Sequence, residues 1–131
     1  MKNHIVLVRG LPGSGKSTHA LSLESQGYSH FEADMYLIVD GKYIYDKSKI
    51  RQAHDWSFIS AKTALEKGLN VVVSNTFIKK WEMQRYIDIG YPFQIVEMNG
   101  KWKNIHGVPQ ETIDRMAHSM EAIPTLNNGL I

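Results

Sequence analysis

Short apolar runs alternate with longer segments of helical spacing along the chain. The apolar runs predict strands over residues 3–9, 29–33, 69–73 and 92–98. Apolar residues three and four apart predict helices over 14–26, 46–67 and 79–89, and a last helix from about residue 109. A glycine follows each of the first three helices, which is where helices commonly end.

Strands that alternate with helices over short connections predict an α/β fold, in which helices cover both faces of a parallel sheet of four to five strands. The run at 69–73 is apolar on both faces, as is typical of a central strand. The turn dipeptide Asp40-Gly41 predicts a small hairpin between residues 37–38 and 43–44. Four apolar residues of the last helix are expected to face inward: Ile113, Met116, Ala117 and Met120.

The loop after the first strand matches every fixed position of the G-x-x-x-x-G-K-S/T phosphate-binding motif. It consists of Gly10, Leu11, Pro12, Gly13, Ser14, Gly15, Lys16 and Ser17, followed by Thr18. In this motif backbone N–H groups surround the β-phosphate at a helix N-terminus. We expect Lys16 to reach the β- and γ-phosphates, Ser17 to bind Mg²⁺, and Thr18 to lie beside the base or the α-phosphate. The sequence therefore predicts a nucleotide-binding protein.

Composition narrows the class of protein only slightly. The sequence has 131 residues, for which we expect a single domain over 1–131. This length argues against an AAA-type ATPase with a helical lid domain and against a two-lobed helicase. The absence of cysteine excludes disulfides and thiolate zinc sites and is compatible with a cytoplasmic location. No apolar run is long enough for a membrane helix, so we expect no membrane partner.

Polar residues that follow the strands are candidates for chemistry, because ligands of parallel sheets bind at the carboxyl ends of the strands. Asp34 follows the second strand, and we predict that it orients the acceptor hydroxyl of a kinase and takes its proton. Glu32 shares the predicted strand face of Asp34 and is the less favoured base. After the third strand come Ser74, Asn75 and Thr76, and after the fourth comes the loop 99–107.

Basic residues form several small clusters with aromatic residues nearby. One of them, with Lys42, Lys47, Lys49 and Arg51, precedes the second long helix. Single clusters are ordinarily solvated surface, and the net charge is only +2. Together with the tyrosines and tryptophans, these clusters suit a polyanionic substrate with stackable bases.

Several motifs together resemble the polynucleotide-kinase-like branch of P-loop kinases, which includes phage 5′-polynucleotide kinases. The similar segments are residues 9–18, Ala33-Asp34-Met35-Tyr36, Ala53-His54-Asp55-Trp56, Asn75-Thr76, Trp81-Glu82-Met83 and Asn104-Ile105-His106-Gly107-Val108-Pro109. The resemblance implies a P-loop kinase fold, ATP and Mg²⁺ as cofactors, and Asp34 as general base. It also implies a lid residue at Lys103 that clamps the phosphates, alongside Lys16 in catalysis.

The chain departs from the family pattern at four places. Lys103 stands where these kinases usually have arginine, which removes the bidentate fork. The loop at Asn75 carries no carboxylate, so metal or water positioning is expected to depend on Ser17 and neutral groups. The lid segment is short, and Leu37 stands where the family often has arginine.

Substrate contacts are predicted at the mouth of the sheet. The expected residues are Asp34, Tyr36, Arg51, His54, Asn75 and Thr76. His54 is equally compatible with a structural role, while Trp56 and Trp81 are expected to pack in the interior. The histidines show no metal-ligand spacing, so no zinc site is predicted.

These observations predict an ATP- and Mg²⁺-dependent kinase that phosphorylates a hydroxyl of a nucleic acid, with DNA favoured over RNA. The acceptor is either a 5′-hydroxyl or a hydroxymethyl group on a modified base such as 5-hydroxymethyluracil, since compact phage kinases that resemble this family act on hypermodified DNA. Two alternatives stay open: a nucleoside or small-metabolite kinase, and a nucleotide-dependent binding module with little or no transfer activity. The sequence does not distinguish ATP from GTP or indicate an oligomeric state.

Overall fold

A computed structural model describes residues 3–100 and 108–122 of the chain. Six strands and four helices follow one another in the described residues. The strands are β1 (Ile5–Arg9), β2 (Ser29–Phe31), β3 (Ile38–Val39), β4 (Lys42–Tyr43), β5 (Val71–Asn75) and β6 (Phe93–Glu97). The helices are α1 (Lys16–Glu24), α2 (Ile50–Glu66), α3 (Lys80–Ile87) and α4 (Gln110–Ser119).

The main sheet is parallel and has the strand order β2, β5, β1, β6. Strand β1 lies between β5 and β6, and Arg9 at its carboxyl end is in register with Asn75 on one side and Glu97 on the other. The α/β fold with a parallel four-stranded sheet, predicted from the alternation of elements, is confirmed. The connections that begin at these strand ends therefore meet at one edge of the sheet.

Alternate residues of β1 pack on opposite faces of the sheet, as a period of two requires. Ile5 and Leu7 belong to a buried cluster with residues of α2 and α3, whereas Val6 and Val8 pack with Ala20 of α1. Helices thus cover both faces, and the two apolar faces of β1 and β5 explain why their sequences are continuous apolar runs.

Small residues on one face of α2 allow this helix to lie close to the sheet. Ala53, Ser57, Ala61 and Ala64 are all buried. The Ser57 hydroxyl also pairs with the Tyr86 hydroxyl of α3 at 3.0 Å, so the buried polar groups at this contact are satisfied.

The predicted hairpin is present as a second, two-stranded sheet formed by β3 and β4, displaced by one residue from the prediction. Asp40 and Gly41 both have positive φ, at 52° and 78°, as a type I′ turn requires. A 3₁₀ turn over Ala33–Leu37 connects β2 to this hairpin.

Several predicted boundaries and contacts are corrected by the structure. Strand β2 ends at Phe31, two residues early, because the chain turns at Ala33. Strand β5 continues through Asn75, so Ser74 and Asn75 are strand residues. The segment Lys47–Lys49 is a 3₁₀ turn before α2.

Two predicted packing contacts are also wrong. Trp81 is 62% exposed, because the buried face of α3 consists of Met83, Tyr86 and Ile87. Ala117 of α4 is exposed, while Ile113, Met116 and Met120 are half-buried.

Replacing Ala61 by leucine is expected to destabilise the fold by about 1–3 kcal/mol, because the added atoms must fit between α2 and the sheet. Urea unfolding followed by circular dichroism measures this change. Lys62→Leu, on the exposed neighbouring position, is the control and should stay within about 0.5 kcal/mol of the parent chain. Equal effects of the two substitutions would contradict the close contact inferred here.

Candidate active site

The phosphate-binding loop connects β1 to α1 with two glycines in the left-handed region. Gly13 has φ 83° and Gly15 has φ 95°, conformations that other residues adopt at a cost. Gly15 precedes the first turn of α1, and no side chain among the described residues caps that turn. The amide N–H groups of the first turn have no acceptor within the helix. They fit a phosphate group, for which the helix dipole adds a favourable charge.

A second glycine requirement arises where the loop touches the end of β6. A Cβ atom on Gly10 would overlap the Ser14 hydroxyl and lie 2.9 Å from the carbonyl oxygen of Met98. The backbone N–H of Gly100 donates to the carbonyl of Ser14 at 3.1 Å. The loop is therefore braced against the segment that follows β6.

Lys16 lies near two carboxylates at the mouth of the sheet. Burial lowers the pKa of Lys16, and the negative charges of Glu32 and Asp34 oppose this effect. A half-buried ammonium close to two carboxylates and to the loop amides is suited to bind an anion. Lys16 and Asp34 thus lie near enough for their charges to interact, and their roles in catalysis stay predictions.

Glu32 is the carboxylate that contacts the phosphate-binding loop. The hydroxyl of Ser17 donates to Glu32 Oε1 at 3.0 Å, and His30 Nε2 lies 3.0 Å from the same oxygen. Burial raises the pKa of Glu32, but His30, Ser17 and Lys16 together hold it below its usual value. Glu32 is consequently ionised at neutral pH although it is buried.

This contact corrects the expectation that only Ser17 and neutral groups are present for positioning a metal. A hydroxyl and a carboxylate are oxygen donors of the kind that Mg²⁺ prefers, so Ser17 and Glu32 fit this ion. Sequence reasoning gave Glu32 a minor role, because it placed Glu32 and Asp34 on one face of a strand. The chain instead leaves the strand before Glu32, and the two carboxylates acquire different partners.

Asp34 lies in the 3₁₀ turn and contacts the hairpin. The Tyr43 hydroxyl of β4 donates to Asp34 Oδ1 at 3.4 Å. Burial and the nearby Asp34 charge raise the pKa of Tyr43 to about 12, so this hydroxyl keeps its proton at neutral pH. Asp34 is half-buried at the surface of the domain.

Asn75 holds the backbone that carries Asp34. Its Oδ1 accepts a hydrogen bond from the N–H of Ala33 at 2.9 Å, and both residues are buried. The Nδ2 of Asn75 is buried with no partner among the described residues.

The other predicted contact residues lie in different surroundings. Tyr36 is 39% exposed, and its ring lies against Trp56, with centroids 6.2 Å apart. Trp56 is half-buried and also meets Phe31, so the expectation of a packed Trp56 holds in part. Arg51 is exposed on the first turn of α2.

His54, Thr76 and Lys103 complete the predicted set. His54 lines a shallow depression between α2 and α3 with Phe77, Trp81 and Arg85. Thr76 is half-buried directly after β5. Lys103, the predicted lid residue, lies outside the described residues.

Sequence reasoning missed Arg9, a buried arginine at the end of β1. Its Nη2 donates to the carbonyls of Phe77 and Glu121, each at 2.8 Å, and its Nη1 lies 3.3 Å from Glu97 Oε1. Phe77 has φ 51°, an unfavourable conformation for a large side chain, and the bond from Arg9 holds its carbonyl in place. A single arginine closing the apolar run that precedes Gly10 was the available signal.

The fold and the phosphate-binding loop define a P-loop nucleotide-binding domain of kinase-like fold. The model of the family described as "AAA domain" matches residues 5–107, and the chain belongs to this family. The matched range contains the phosphate-binding loop and all four strands of the main sheet. The sequence argued against an AAA-type ATPase with an additional helical lid domain. This family match does not test whether such a lid domain is present.

One human protein is similar to most of this chain. The chain is 36% identical over 128 residues to human NEDD4-binding protein 2, with 86% of the chain and 7% of that protein covered. The chain thus corresponds to a small part of this relative.

No helix within residues 3–100 and 108–122 has the length and apolar character needed to cross a membrane.

Solved structures share the fold at low sequence identity. A sugar kinase from Janibacter sp. superimposes with a TM-score of 0.67 at 16% identity, covering 100% of this chain and 84% of that chain. A chain of a Pnkp1/Rnl/Hen1 complex gives a TM-score of 0.61 at 16% identity, covering 96% of this chain and 41% of that chain. These similarities establish the P-loop kinase fold.

Glu32 is expected to make stability depend on acid pH. Because its pKa is lowered in the folded state, its ionised form stabilises the fold above its ordinary value of 4.5. This contribution is lost as the pH falls through the lower folded-state value. Urea unfolding from about pH 7 to about pH 3 should therefore show a smaller loss of unfolding free energy for Glu32→Gln than for the parent chain. Glu66→Gln, at an exposed position, is the control and should follow the parent chain.

Asn75→Ala is expected to destabilise the domain by about 1–3 kcal/mol, because the buried N–H of Ala33 loses its acceptor. Thermal and urea unfolding measure this loss. Thr76→Ala, one position further along and only half-buried, is the comparison and should cost clearly less. An unchanged unfolding free energy for Asn75→Ala would show that the Ala33 contact contributes nothing.

Proposed function

We propose that this domain is an ATP- and Mg²⁺-dependent kinase that transfers the γ-phosphoryl group to a hydroxyl of a nucleic acid. The observation that carries the proposal is the division between two carboxylates near Lys16. Glu32 is bonded to Ser17 of the phosphate-binding loop, and Asp34 lies beside the hairpin at the surface. A kinase needs one acidic group on the metal side of the phosphates and another on the acceptor side.

The residues of the site account for each part of such a transfer. The amides of the loop and Lys16 would hold the phosphates. Ser17 and Glu32 would hold Mg²⁺, which would neutralise phosphate charge when bound. Asp34 accepts the proton of the acceptor hydroxyl. At the same time the acceptor oxygen bonds to the γ-phosphorus, and the bond between the γ-phosphorus and the β,γ-bridging oxygen breaks. Lys103 is proposed as the lid residue that completes the clamp on the phosphates.

Three observations support a nucleic acid as the acceptor. The motifs around Asp34, His54 and Trp81 resemble polynucleotide kinases. A structure of the same fold belongs to a Pnkp1/Rnl/Hen1 complex. Exposed Lys42 lies on the hairpin that contacts Asp34, and exposed Tyr45 follows its second strand. The acceptor hydroxyl is a 5′-hydroxyl or a hydroxymethyl group on a base, and the substrate panel below separates the two.

The test is transfer of label from γ-labelled ATP to a panel of acceptors. The panel contains 5′-hydroxyl DNA, 5′-hydroxyl RNA, end-blocked DNA with 5-hydroxymethyluracil, and free nucleosides. We expect label on a polymer, its loss with Lys16→Ala, and a fall in kcat of about 100-fold or more with Asp34→Asn. Lys62→Ala and Asp88→Asn, at exposed positions, are the matched controls and should keep the parent activity.

Each other outcome assigns a different function. Label on nucleosides alone would indicate a small-molecule kinase. ATP binding without transfer to any acceptor would indicate a nucleotide-dependent binding module. Full activity of Asp34→Asn would remove Asp34 as the general base.

A further inference from the structure

We propose that the exposed side chains of the hairpin segment bind the single-stranded nucleic acid whose hydroxyl is phosphorylated, with bases stacked on Tyr45 and Tyr36 and phosphates paired with lysines. This hairpin surface consists of Tyr36, Ile38, Val39, Lys42, Ile44 and Tyr45. The inference rests on the proposed function and adds where the acceptor strand lies.

The hairpin surface is the largest group of exposed apolar side chains adjacent in sequence within the described residues. Its apolar members are between 39% exposed at Tyr36 and 64% exposed at Tyr45. A concentration of exposed apolar side chains in one segment marks binding sites more often than scattered single residues do. We therefore expect the hairpin surface to bind a partner that covers its apolar and aromatic atoms.

The hairpin is anchored to the domain through Tyr43 and Ile44. Tyr43 packs against the buried residues Ala33, Leu37 and Ala53, and the N–H of Ile44 donates to the carbonyl of Leu37 at 3.0 Å. A two-stranded hairpin is marginally stable alone, so these contacts hold it in a defined position. The exposed side chains of the hairpin surface are thus held in a defined position on the domain.

The same hairpin contacts the proposed general base. The Tyr43 hydroxyl donates to Asp34, and Tyr45 is near enough to Tyr43 to contribute to its raised pKa. Tyr36 follows Asp34 by two residues, and its ring lies against the ring of Trp56. Aromatic rings therefore flank Asp34 on the sequence segments before and after the hairpin turn. A strand stacked on them brings its hydroxyl close to Asp34.

Charge favours a polyanion over a purely apolar partner. From residue 36 to residue 51 the cationic side chains Lys42, Lys47, Lys49 and Arg51 outnumber the anionic Asp40 and Asp46. All four cations are exposed, and the carboxylate of Asp46 is bonded to Ser48. Exposed aromatic rings beside exposed cations match the bases and phosphates of a single strand.

The test measures binding of short fluorescent 5′-hydroxyl oligonucleotides, in DNA and RNA form, by anisotropy over a series of salt concentrations. Tyr45→Ala is expected to weaken binding about tenfold through lost stacking. Lys42→Gln is expected to lower the slope of log affinity against log salt by about 0.7, the value of one phosphate contact. The controls Ile59→Ala and Lys62→Gln remove an exposed apolar side chain and an exposed cation of α2 and should match the parent chain.

Steady-state kinetics with the same oligonucleotides adds a second readout. Tyr45→Ala should raise the KM for the oligonucleotide about tenfold and leave the KM for ATP unchanged. Circular dichroism of each variant checks that the fold is kept.

The possible failures are distinguishable. Transfer to oligonucleotides with Tyr45→Ala and Lys42→Gln equal to their controls would overturn this inference and leave the proposed function intact. A parent chain that neither binds nor phosphorylates any oligonucleotide would overturn both. Sedimentation showing that Tyr45→Ala separates a dimer, with oligonucleotide affinity unchanged, would assign the surface to a second copy of this chain.

Discussion

Strand β1 is paired on both sides in parallel register, and this pairing positions every part of the candidate site. Arg9 lies level with Asn75 of β5 and Glu97 of β6, so three connections begin at the same height on one edge of the sheet. The phosphate-binding loop follows directly, and Asn75 and the Arg9 guanidinium hold the neighbouring connections through backbone carbonyl and N–H groups. Without this register the loop, Glu32 and Asp34 would not meet.

Charge at the site is balanced locally although much of it is buried. Arg9 is bonded to two carbonyls and to Glu97, and Glu32 is bonded to Ser17 and His30 with Lys16 nearby. Burying a charge without partners is expensive, so each of these groups is retained only with its network intact. The consequence is a preorganised site, in which the Ser17 hydroxyl is bonded to the Glu32 carboxylate and Lys16 lies near the charges of Glu32 and Asp34.

The fold is shared by proteins with different activities, and it does not by itself identify an acceptor. A sugar kinase and a chain of a Pnkp1/Rnl/Hen1 complex both have a similar fold. We propose that the segments around Asp34, the proposed general base, distinguish one acceptor from another. In this chain that segment is the hairpin, which contacts Asp34 through Tyr43 and exposes aromatic and cationic side chains.

The sequence by itself determined the phosphate-binding loop, the alternation of strands and helices, and the hairpin turn, because each depends on residues close together in the chain. It also indicated Asp34 near Lys16 through the rule on strand ends. The tertiary structure decided that Glu32 meets Ser17, since these residues are 15 positions apart and come together only when the strands pair. It likewise decided that Arg9 reaches Glu121, 112 positions away, and that Trp81 faces outward. Residue spacing records local periodicity, whereas the partner of a buried charge depends on which distant segments pack around it.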